Sequence, residues 1–72
     1  MDSKILEFVF FCVEGIAEKL NKDTVKIYDA LTNESNLLNS YIIANYDVLH
    51  TQGKEYIVED IIDVMRETGL EV

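Results

Sequence analysis

A chain of 72 residues has room for one domain, and at that size only ~60% of the unfolded surface is buried, so stability is marginal unless disulfides, metals or association help. One cysteine (Cys12) and one histidine (His50) can form neither an internal disulfide nor a tetrahedral nitrogen–sulfur metal cage, which leaves self-association or docking to a partner. With 14 acidic residues against 6 basic and a formal charge of −8, the surface repels phosphate backbones and anionic lipid heads, which disfavours direct nucleic-acid binding.

The most apolar run, Phe8 to Val13, is bracketed by Glu7 and Glu14 and falls far short of the ~20 residues a membrane span needs. No small-residue cleavage site follows it, so neither a signal peptide nor a membrane helix is expected, and the lone cysteine points to the cytoplasm.

The first predicted helix runs from about Lys4 to Leu20, with Asp2 or Ser3 as N-cap. At 100° per residue, Phe8, Cys12, Ile5, Ile16, Val9, Leu20, Val13 and Leu6 share one arc. Ala17 and Phe10 widen it to roughly 200°, about twice an ordinary surface-helix stripe. Glu7, Glu14 and Glu18 gather opposite, with Phe11 close to them. Such an arc belongs to a helix packed on more than one side, either central to its domain or shared with another chain. Self-association as a homodimer, or an obligate partner, is therefore expected, with Phe8, Phe10 and Phe11 as the candidate residues.

Asn21-Lys22-Asp23-Thr24 is a cluster of capping residues, and a short helix follows to about Leu31 or Thr32. After the break Thr32-Asn33-Glu34-Ser35, a third helix spans about Asn36 to His50. It places Leu37, Tyr41, Val48, Leu38, Leu49 and Ile42 on one face, with Tyr46 at its edge. Asn45 projects into that apolar arc, where its amide must bond to backbone or fix a helix register. The last helix follows Thr51-Gln52-Gly53, although Glu55 to Val58 fits an extended start equally well. Ile57, Val58, Ile61, Ile62, Val64 and Met65 face inward, and Gly69 closes it as a C′ glycine. Residues 1–72 thus read as a single all-α domain, a small bundle of about four helices.

Asp47 and His50, three apart on a helix, resemble half of a carboxylate-bridged di-metal site, but such sites need two motifs and further inward carboxylates. No serine sits on a nucleophile elbow, and Cys12 lies on the strongest apolar face, where a thiolate is disfavoured. No catalytic residue, cofactor or metal is expected. The simpler reading of Tyr46 to Gly53 is a helix end. Leu49 is its last core residue, His50 meets the terminal carbonyls, and Gly53 supplies a left-handed ending. His50, Thr51 and Gln52, together with Phe11, are the candidate partner-binding residues.

The run NYDVLHTQG followed by YIVEDI resembles a family of small bacterial proteins catalogued as a domain of unknown function. Tyr46, Leu49, His50, Thr51, Gln52 and the pair Asp60-Ile61 carry the resemblance, and FVFFCVE extends it over nearly the whole chain. Members sit near genes for proteins resembling ADP-ribosyltransferases, which implies an antitoxin-like partner that neutralises a toxin-like enzyme. The expected function is a non-enzymatic module that docks a basic protein partner. The other readings are a minimal enzyme or metal protein centred on Asp47 and His50, and an accessory subunit of a transcriptional regulator.

Overall fold

Asp2 starts the first helix. In the computed structural model, which describes residues 2–70, its carboxylate accepts the Lys4 amide at 2.8 Å from an extended backbone. That bond satisfies one of the donors a helix leaves orphaned at its N-terminus. α1 (Ser3–Leu20) stops at Asn21, whose left-handed backbone (φ 54°, ψ 50°) lets the Asn21 and Lys22 amides reach back to Glu18 and Ala17. α2 (Thr24–Thr32) opens as α1 does, with Asp23 Oδ1 accepting the Val25 amide at 2.8 Å. The polar cluster between them is a stop followed at once by a start.

Beyond α2, Ser35 stitches the connection, donating to the Ala30 carbonyl at 2.8 Å and accepting the Leu37 amide at 3.3 Å. The next segment corrects the sequence reading. One continuous helix over residues 36–50 was expected, and the chain instead forms a π-helical segment, Leu38–Ile43, then a short α3, Tyr46–Leu49. A π turn takes i→i+5 spacing, one residue more than an α turn. It therefore sets back the phase of every side chain after it. Leu38 and Ile42 stay buried, and Leu49 comes inward with Tyr46 half-buried. Asn45 and Val48, both expected on the apolar arc, turn to solvent, and Val48 is 65% exposed. Asn45 still bonds to backbone, its Nδ2 donating to the Tyr41 carbonyl at 2.7 Å across the break.

α4 (Lys54–Glu67) is helical from its first residue, which settles the choice at Glu55 to Val58. Ile57, Val58, Ile61, Ile62 and Met65 are buried and Val64 is half-buried. Gly69 closes the helix with φ 78°, as its position predicts. The described residues contain no strand, and the all-α bundle expected from the apolar spacing is the observed architecture. None of its helices is long and apolar enough to cross a membrane.

α1 is the central element, packed against α4, α2 and the π segment. Its wide arc is thereby explained within one chain. Phe8, Val9, Cys12, Val13, Ile16 and Ala17 are all buried. Each large apolar side chain so buried contributes ~1.5–3 kcal/mol relative to exposure. The ends of the arc stay outside it: Leu6 is exposed and Phe10 is 54% exposed, while Phe11, off the arc beside the acidic side, is 40% exposed. α1 meets α4 closely at the buried Gly15, where a Cβ would lie 2.6 Å from Val58 Cγ2.

Candidate functional site

The stretch from Tyr46 to Gly53 ends a helix without a left-handed residue. Side chains and tight turns occupy the terminal carbonyls of α3. His50 Nδ1 lies 2.7 Å from the Tyr46 carbonyl, and Thr51 Oγ1 donates to the Val48 carbonyl at 2.7 Å. The Thr51 and Gln52 backbone amides reach Val48 and Leu49 at 3.3 and 3.0 Å. With the Tyr46, Val48 and Leu49 carbonyls occupied, Gly53 is free to be the N-cap of α4, a position that demands extended backbone. Its φ of −72° and ψ of 157° fit that role, and a Cβ there would meet nothing within 4 Å. The expected left-handed Gly53 is corrected accordingly.

A carbonyl oxygen only accepts, so Nδ1 of His50 carries a proton and donates to Tyr46. Nε2 makes no hydrogen bond among the described residues. The imidazole also lies flat on Tyr46, with ring centroids 4.5 Å apart and planes 11° apart. Tyr46 in turn meets Phe8 edge-on at 5.3 Å, and Phe8 stacks with Phe11 at 6.3 Å. Four rings from two helices therefore form one row. Its inner members, Phe8 and Tyr46, are buried and half-buried, and its ends, Phe11 and His50, are exposed. Aromatic pairs in such geometries contribute ~0.5–1.5 kcal/mol each beyond area burial. The row fixes the positions of Phe11 and His50, residues far apart in sequence. Thr51 and Gln52 are exposed beside His50, and Gln52 Nε2 donates to Thr51 Oγ1 at 3.4 Å.

Asp47 is exposed on the same short helix, but the His50 nitrogen that is engaged faces the Tyr46 carbonyl. Among the described residues no three His, Cys, Asp or Glu side chains converge as a metal site would require. Cys12 is fully buried, and burial pushes its thiol up to about 12, so the thiolate is suppressed at neutral pH. A second polar link sits away from the row. The Tyr41 hydroxyl donates to Asp60 Oδ2, tying the π segment to α4. That bond, aided by burial and the carboxylate charge, raises the Tyr41 phenol to about 12. Asp60 thus has a structural task, holding the irregular segment against the last helix.

Residues 7–68 match a protein family described as protein of unknown function (DUF3791). The chain belongs to the DUF3791 family. The match covers α1 from Glu7 through the end of α4, so the aromatic row, the Tyr41–Asp60 link and Gly15 all lie within the DUF3791 domain. No curated protein and no solved structure matches the chain.

Sequence reasoning missed two features of this DUF3791 domain. Gly15 as a point of close helix approach left no trace in the apolar pattern. Val25 and Tyr28 pair with Phe10 along an exposed groove between α1 and α2. Their spacing of three residues on α2 was the available signal.

Proposed function

We propose that this DUF3791 protein is a non-enzymatic interaction module that docks a basic protein partner, in antitoxin-like form a toxin-like enzyme with a cationic cleft. The observation that carries the reading is the aromatic row. It holds exposed Phe11 and exposed His50 in fixed positions, with Thr51 and Gln52 alongside. A rigid aromatic side chain presented to solvent is costly to leave uncovered and is the kind of anchor interfaces use. The charge of −8 supplies attraction to a basic partner and accelerates encounter. His50 Nε2 and the Thr51 and Gln52 side chains supply directional polar contacts at the row's end.

The test is capture from a lysate of the source organism with wild type, Phe11→Ser and His50→Ala proteins. The expected result is one basic protein retained by wild type and released by either substitution. Equal retention by all three, or retention of acidic proteins, contradicts the proposal.

A further inference from the structure

Resting on the interaction-module reading, we infer that the groove between α1 and α2 seats a basic amphipathic helix of the protein partner. The groove is a depression of about 420 Å³ lined by Phe10, Val13, Glu14, Thr24, Val25 and Tyr28. Three of its walls are large apolar side chains left in water: Val25 is 74%, Phe10 54% and Tyr28 47% exposed. Two helices flanking an apolar trough are the geometry in which a third helix docks by side chains spaced three and four apart.

Charge decides the occupant. Glu14 borders the groove, and Phe10 also lines the adjoining depression on α1 with Glu7, Glu14 and Glu18. The cation in that depression, Lys54, is paired with Glu18 at 3.8 Å. Glu7 and Glu14 are in no ion pair among the described residues. An apolar trough edged by the unpaired Glu14, with the unpaired Glu7 in the adjoining depression, on a chain of charge −8 complements a helix with apolar anchors and lysine or arginine flanks. A second copy of this chain fits badly. A two-fold interface sets the same patch against itself, so the unpaired Glu7 and Glu14 of both copies would confront one another. Like charges juxtaposed across an interface oppose association.

The probe is a synthetic helix-forming peptide with leucines at three- and four-residue spacing and lysines on the opposite face. Its counterpart with glutamates in place of lysines is the control. Binding to the full chain is followed by heteronuclear NMR and by fluorescence titration. The expected result is that the lysine peptide binds, the glutamate peptide does not, and resonance shifts centre on Phe10, Val13, Val25 and Tyr28. Val25→Asp and Glu14→Lys each weaken binding about tenfold or more, a difference of ~1.4 kcal/mol. Tyr56→Ser, at an exposed aromatic outside the groove, leaves the affinity unchanged. Shifts scattered over the acidic surface, equal binding of both peptides, or no binding overturn the inference. So does concentration-dependent dimerisation abolished by Val25→Asp, which makes a second copy the occupant. A lysate partner that ignores Val25→Asp but needs Phe11 and His50 removes the groove and leaves the module standing. Peptide binding at the groove with no lysate partner has the opposite meaning.

Discussion

Gly15→Ala is the substitution whose outcome depends most on how α1 and α4 meet. In the interior of an exposed helix this change is favourable by ~0.5–1 kcal/mol, because alanine loses less backbone entropy. Here the added methyl would lie 2.6 Å from Val58 Cγ2, inside any real van der Waals contact. Val58 cannot easily yield, since it is β-branched, buried and held on α4. Overpacking of this kind costs ~1–3 kcal/mol. The loss exceeds the gain, and a net destabilisation of about 1 kcal/mol is expected. For a domain of this size that lowers the thermal midpoint by ~4–8 °C. Circular dichroism melts measure it. The control is Val58→Ala, which removes the opposing methyl. In that background Gly15→Ala should become neutral or stabilising, a coupling between touching residues that a double-mutant cycle isolates. A Gly15→Ala melt at or above wild type would refute the close-approach argument.

Gly53 stands in extended backbone with open space around it, so Gly53→Val meets no clash and should cost only the N-cap preference for glycine over valine, about 0.5–1 kcal/mol. Gly53→Ser should raise stability by a few tenths of a kcal/mol by adding a side-chain cap to α4. Tyr41→Phe removes the bond to Asp60 and should cost ~0.5–1.5 kcal/mol by urea titration; no loss would deny Asp60 its structural task. The Cys12 and Tyr41 groups are both raised, from ordinary values of 9.0 and 10.0 to about 12. Each is neutral when protonated, so its contribution is complete below the ordinary value and is lost as pH rises toward and through about 12. Stability should therefore fall between pH 9 and 12, and Tyr41→Phe should flatten the part of that fall above pH 10. His50→Ala loses one exposed hydrogen bond and the stack on Tyr46, so it should cost roughly 1 kcal/mol and leave the fold intact.

Local rules were enough to read most of the fold. Asp2, Asn21, Asp23 and Gly69 act as caps where their side chains and backbone freedom place them, and the inward face of α4 follows helical spacing residue by residue. The misplacement of Asn45 and Val48 has one origin. A π turn stabilised by a tertiary bond, Tyr41 to Asp60, cannot be seen in a periodicity count that assumes 100° per residue. Once the phase slips there, Asn45 and Val48 are misplaced together. Gly53 was misread because a glycine after a helix and a glycine before one look alike in sequence. What tells them apart is that His50 and Thr51 already satisfy the terminal carbonyls. At the candidate site, His50, Thr51, Gln52 and Phe11 could be picked out singly. The row through Phe8 and Tyr46 that links two of them requires the packing of α3 on α1.

The dissociation constant of the purified complex, measured by calorimetry, tests the central claim that the row's exposed ends contact a partner. Wild type, Phe11→Ser and His50→Ala would be compared with the partner captured from lysate, with thermal melts confirming that each variant is folded. Loss of affinity by about tenfold or more in both variants, with the fold retained, is the predicted result. Affinities within about twofold of wild type in both would contradict it, and would leave the aromatic row as packing alone.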